Sequence, residues 1–222
     1  MAGGATERRA TLRWHVRGGA HAASSRMTRR SGWHRDARLA FPRLRWLRHV
    51  GVVVAATLAV HVWWLLWMGR SLTCPCGVVS LWQSGADPSQ NSQQIADAYS
   101  SLHVAFGMGL YLVFSWLRPR WPVIDRALLA LISSTIWEMI ENTPWVVLVL
   151  NNAANAAPDY RGDSVLNSLA DTAFALLGFT IALGLPVRWV VVIALALETI
   201  ATLLIHDGFV LIVWRLLDGM RG

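Results

Sequence analysis

The sequence predicts an all-α protein: a polytopic transmembrane helix bundle of about five spans, followed by a short C-terminal interfacial or re-entrant helix. Three observations lead there. The chain of 222 residues is 55% hydrophobic and 15% charged, with 13 Trp, the balance of a small integral membrane protein rather than a soluble domain. Its apolar residues gather into five runs, each near the ~20 residues that cross a hydrocarbon core at ~1.5 Å per residue. All 20 basic residues are Arg, and Arg118, Arg120, Arg126 and Arg188 fall in alternate connections between runs, as the positive-inside rule requires.

Residues 1–48 carry 12 of the Arg against Glu7 and Asp36. The remainder of the chain is slightly acidic, so the basic character belongs to an arm. With no sustained apolar period, this arm reads as disordered or surface-lying, and as cytoplasmic. Nucleic acid is not an expected partner, because an Arg-rich flank beside a first span already has a topological explanation. Met27 is an alternative start that would keep an ample basic flank.

Residues 49–222 read as the membrane domain. Span one, Val50 to Met68, is a signal anchor, since no small-x-small cleavage site follows it. Its His61 reads as a packed histidine. Span two runs from about Leu102 to Leu117, span three from Ala127 to Leu150, span four from Ser164 to Leu185 and span five from Trp189 to Ile205. A cytoplasmic arm then leaves residues 69–101 and 151–163 outside, and both are rich in Asn, Gln, Ser, Asp and Pro. The stretch Gly208 to Leu217 is too short to span and contains Arg215.

Helical spacing lines up the polar residues. Ser134, Glu138, Glu141 and Asn142 form one stripe of span three, with Pro144 free to break the backbone beyond. Asp163, Asn167 and Asp171 recur every four residues at span four, as do Glu198, Thr202 and His206 at span five, and span two adds His103, Gly107 and Tyr111. On this topology Glu138 lies ~17 Å from the inner end of its span, Asp171 ~11 Å from the outer end and Glu198 ~14 Å from the inner end, all near the midplane. Three ionised carboxylates there cost roughly 8 to 10 kcal/mol if unpaired. Protonation, mutual hydrogen bonds, an Arg or His, or a bound cation must offset that. Stripes on four helices are expected to face one another, around a polar vestibule open to the outside.

Cys74-Pro-Cys76-Gly77 follows span one. Thiols two residues apart are expected to form a reducible bridge, an intermolecular link or no bridge, or to join His103 and a carboxylate as ligands of a divalent metal. A structural turn is the plainer alternative. The polar stretch that follows, Leu81 to Tyr99, is placed as a lid over the vestibule.

Several strings in this chain resemble a known group: Gly69-Arg-Ser-Leu-Thr-Cys-Pro-Cys-Gly77, Gln90-Asn-Ser-Gln-Gln94, His103, Trp137-Glu-Met-Ile-Glu-Asn-Thr143, and Tyr160-Arg-Gly-Asp-Ser-Val-Leu-Asn-Ser-Leu-Ala-Asp-Thr172. Together with Leu197-Glu198 they look like an uncharacterised bacterial family of small multi-pass inner-membrane proteins, from about residue 45 nearly to the end. The resemblance implies architecture and a plasma-membrane location, with no activity attached. A fainter likeness to VanZ-like membrane proteins would assign Glu138 or Glu141, Arg161, Asp163, Asn167 and Gly178 to that pattern.

Three functions are consistent with these residues. One is a binding or transport module in which Glu138, Glu141, Asn142, Asp163, Asn167, Asp171, Glu198, His103 and Arg161 hold a cation, lipid or polar head group from the outer leaflet, with a homodimer expected because one five-helix chain is small for a transporter. Another is a membrane-embedded hydrolase or transferase acting on a lipid-linked substrate, with a carboxylate as general base, His103 or His206 as proton relay, and with or without a metal-activated water; no nucleophile motif, phosphate loop or HExxH string supports it. The last is a structural accessory subunit whose polar network serves assembly.

Overall fold

In the computed structural model, which describes residues 49–83, 88–151 and 160–220, all regular structure is helical. Seven α-helices are present among these residues: α1 (Val50–Trp67), α2 (Ser100–Leu117), α3 (Val123–Glu141), α4 (Pro144–Leu150), α5 (Val165–Leu183), α6 (Val187–Ile205) and α7 (Phe209–Gly219), with one 3-10 turn at Pro88–Gln90. The basic arm lies outside the described residues.

Four helices, α1, α2, α5 and α6, are long and apolar enough to cross a membrane. Their outer faces expose large apolar side chains such as Val52, Trp63, Trp116, Leu177, Leu195 and Leu203, which water would penalise and lipid would not. The helix α3 differs. It is 19 residues long but carries Asp125, Arg126, Glu138 and Glu141, and it buries its polar face against α1, α2 and α5.

The expected third span, Ala127 to Leu150, is two helices rather than one. Pro144 has no backbone N–H and disfavours helical geometry at the residue before it. Thr143 accordingly is extended (φ −74°, ψ 149°), and Pro144 occupies the first turn of α4, where its ring is tolerated. This break moves the carboxylates. Glu138 sits one turn, ~4.5 Å, from the end of α3 instead of at mid-span, so the polar cluster lies toward one end of the bundle.

The centre of the bundle is the pair α2 and α5. A Cβ on Gly107 would collide with the backbone of Ala175, and one on Gly178 with the backbone of Val104. The two glycines thus let the helices touch backbone to backbone, the small-residue packing that membranes favour where lipid removes most of the hydrophobic drive. Gly107, read from sequence as part of a polar stripe, is a packing residue. On either side of this pair, α6 lies on α2 and α3 lies on α5, with α1 outside α3. The short α4 and α7 pack together through Val146, Leu150 and Ile212, joined by Tyr160.

At the end where α1 and α3 finish and α2 and α5 begin, the connecting chain is pinned. The first backbone N–H groups of a helix have no partner within it. Those of α5 are taken by the Ser92, Ser71 and Leu72 carbonyls and by the Ser164 hydroxyl, which accepts from Asn167 N. Gln94, fully buried, accepts from Ser80 N and donates to Val78 O and Gln90 Oε1. The described residues 88–99 of the expected lid are tied to the start of α5 through the Ser92, Gln93 and Gln94 carbonyls.

Candidate functional site

Helices α2, α3 and α5 bring one residue each to the middle of the site. His103, one turn into α2, has Nδ1 3.3 Å from Glu138 Oε1 and Nε2 3.8 Å from Asp171 Oδ2. Glu138 is fully buried, and its other oxygen accepts from the Ser168 hydroxyl at 2.7 Å. That hydroxyl has one proton to give, so the 2.8 Å contact with His61 is a donation from Nε2. Asp171 in turn accepts from Ser100 Oγ at 3.2 Å. The result is a continuous polar line, His61 to Ser168 to Glu138 to His103 to Asp171 to Ser100, through the interior of the bundle. His61, expected as a packed histidine, is packed and also ends this line.

A second group ties α3 to α5. Asn142 donates to Asp163 Oδ2 and accepts from Asp163 N at 2.8 Å, a reciprocal pair that fixes the break after α3 against the start of α5. Tyr160 donates to the other Asp163 oxygen at 3.0 Å. Burial raises the Asp163 pKa to about 6, with the Asn142 and Tyr160 hydrogen bonds opposing, and burial together with the Asp163 charge raises that of Tyr160. Asp97, also raised by burial, accepts from the backbone N–H of Ser92 and Tyr99. Asn167 donates to Gln94 O at 2.9 Å.

The two groups face a common small pocket lined by Tyr99, His103, Glu141, Tyr160, Asp163, Asp171 and Asp207, with Leu150 and Ile212 as apolar wall. Three buried atoms in or beside it make no hydrogen bond: His103 Nδ1, Glu138 Oε1 and Glu141 Oε2. One ligand atom from each of these residues lies within 4.8 Å of the others. Unpartnered buried polar atoms cost about 1–3 kcal/mol each, a cost that a ligand meeting these three atoms would relieve.

Not every residue expected here is present. Glu198 is apart from the pocket: its carboxylate accepts from the Phe209 and Val210 N–H groups, capping α7, which suits a negative charge at a helix N-terminus. Arg161 turns its side chain outward and contributes only its carbonyl, against the place that the VanZ-like pattern would give it. His206 is exposed and closes α6 in a left-handed conformation (φ 52°). Cys74 and Cys76 are joined in a disulfide, and in that state neither supplies the thiolate a metal would need; the potential ligands are His103, Glu138 and Glu141 instead.

The guanidinium that matters is Arg70, not singled out from the sequence. It donates to the carbonyls of Arg161 and, at 2.7 Å, Asn142. Gly162 makes room for it: that residue sits at φ +92°, and a Cβ there would strike the Arg70 side chain. An Arg on the side of the bundle where the charge rule does not call for one was the available signal. Tyr160 and Tyr99, the latter donating to Asp207 Oδ2 at 3.4 Å, likewise went unassigned.

Comparison with known proteins finds bacterial relatives. The chain is similar to a UPF0314 protein of Brucella anthropi, 39% identical over 166 residues, which covers 75% of this chain and 84% of the relative. It is also similar to UPF0314 proteins of Paracoccus denitrificans, 38% identical over 180 residues (80% and 90% covered), and of Sphingopyxis alaskensis, 40% identical over 146 residues (66% and 76%). No solved structure matches it. Residues 65–221 match the model of DUF2585, described as a protein of unknown function, so this chain, with the strings Trp137–Thr143 and Tyr160–Thr172 inside the matched region, belongs to the uncharacterised bacterial DUF2585 family.

Proposed function

We propose that this protein is a membrane-embedded binding module that takes a cation or a cationic head group into the pocket between α2, α3 and α5 from the outer side of the bacterial inner membrane. The observation that carries this reading is the lining. Glu141, Asp163, Asp171 and Asp207 share one small cavity with His103 and two tyrosines. Among the described residues, Arg215 is engaged with Asp207 at 2.9 Å, and Arg70 with carbonyls. A cation entering such a site replaces like-charge repulsion with attraction in a medium of low dielectric.

Orientation follows from the Arg distribution. With the basic arm in the cytoplasm, Arg118, Arg120, Arg126 and Arg188 lie on the cytoplasmic side, and the pocket end of the bundle faces out. The apolar residues Leu150 and Ile212 beside the acids suit a ligand with a short hydrocarbon portion. A homodimer would supply the second half of a translocation path.

The test is thermal stability of the detergent-purified full chain against a panel of sodium, zinc, manganese, ethanolamine and tetramethylammonium, with acetate and phosphate as anionic controls. A ligand at 100 times its Kd adds about 2.7 kcal/mol. The expected result is stabilisation by at least one cation and none of the anions, lost in Asp171→Asn. Equal response to cations and anions, or none to either, overturns the reading.

A further inference from the structure

His103, Glu138 and Glu141 have a geometry more specific than acidity alone. Glu138 and Glu141 are three residues apart on the last turn of α3, hence on one face, and His103 approaches that face from α2. Each contributes an atom to a group no wider than 4.8 Å, and in each residue a buried atom lacks any hydrogen bond. Fully buried Glu138 turns its unpartnered Oε1 toward His103 Nδ1 while Ser168 holds Oε2. His103 Nδ1 and Glu138 Oε1 thus face each other at 3.3 Å without a hydrogen bond between them, the spacing of two ligands around one ion.

We infer that His103, Glu138 and Glu141 bind a single divalent transition-metal ion, an inference that rests on the cation-binding reading and names its occupant.

The donor set selects the class of ion. One imidazole with two carboxylates suits zinc, manganese or iron(II). Calcium and magnesium prefer oxygen alone, and copper(I) prefers sulfur. Bonds of about 2.0–2.2 Å allow ligand atoms to stand at most ~4.4 Å apart across an ion, so a side-chain adjustment of under about 1.5 Å draws the three into tetrahedral spacing. The surroundings match the way proteins support such ligands. Asp171 stands on the Nε2 side of His103, itself fixed by Ser100, as the carboxylate behind a metal-bound histidine usually does. His103 and Glu141 also line the pocket, so the remaining coordination position opens onto it, as in sites where a metal meets a second ligand.

The full-length protein in detergent is stripped with a chelator, dialysed against zinc or manganese, and analysed for bound metal. One ion per chain is expected, with calcium and magnesium at least tenfold weaker. Glu138→Gln and Glu141→Gln each reduce affinity by tenfold or more, and Asp171→Asn by ten- to a hundredfold, while Glu198→Gln leaves it unchanged. X-ray absorption of the zinc-loaded wild type, which depends on no variant folding, shows nitrogen and oxygen ligands at about 2.0–2.1 Å. A sulfur shell, or stoichiometric metal that survives both Gln substitutions, overturns the inference. So does a wild type that holds no divalent ion; if tetramethylammonium or ethanolamine still stabilises that protein, the pocket reading stands without its metal, and if neither does, both fall.

Discussion

Two sets of acids in this bundle are treated in opposite ways. At the junction of α6 and α7, Glu198 accepts two backbone N–H groups, and Asp207 accepts from Arg215, Tyr99 and the Gly208 N–H. At the junction of α2, α3 and α5, Glu138 and Glu141 each keep a buried oxygen without a hydrogen bond. The residue types are the same, so the difference lies in what the fold brings to each carboxylate. A satisfied acid holds helices together; an acid left short of partners stores a cost that a ligand can remove.

The contrast is broken most strongly by removing a partner from the satisfied set. Arg215→Met leaves Asp207, 2% exposed, without its ion-pair partner and is expected to lower unfolding stability by about 3 kcal/mol, read by denaturant titration in detergent. Gly107→Val drives a side chain into the α5 backbone and is expected to cost 1–3 kcal/mol or more, with no selectivity between the two acid sets. Glu141→Gln should act with the opposite sign. Without ligand it relieves a buried charge and holds or raises stability by about 1 kcal/mol, yet it abolishes the stabilisation by cations; a loss comparable to Arg215→Met would erase the contrast.

Asp163 sharpens it through pH. Its folded pKa of about 6 exceeds the ordinary carboxylate value of ~3.9, so the folded protein binds the proton more tightly than the unfolded chain. Its contribution to stability is therefore greatest below about pH 4 and is lost as the pH rises to about 6. Asp163→Asn should flatten that part of the stability profile, measured between pH 4 and 7. The smallest effect is expected from Glu198→Gln, which keeps an acceptor at the start of α7 but loses the charge, worth roughly 0.3–1 kcal/mol.

Much of this was legible from residue order. Apolar length located α1, α2, α5 and α6 to within a few residues, because a membrane span must be long, apolar and internally hydrogen-bonded whatever packs against it; the expected third span was two helices. The four-residue spacing of Asp163, Asn167 and Asp171, and the stripe from Ser134 to Asn142, identified the faces that meet, since helical geometry alone decides which side chains share a side. Even the break near Pro144 had a local cause.

Partnership was not legible in the same way. Glu198 had the same helical spacing as the pocket acids, and only the return of α7 beneath it made it a cap. Arg161 and Arg70 are both arginines on the same side of the bundle, and only the path of the chain through Gly162 turned one outward and set the other against Asn142. Residue order determines how each helix presents its polar face, through periodicities that are properties of the backbone. Which buried atom finds a donor and which is left for a ligand depends on distances between segments far apart in sequence, and those exist only once the helices have packed.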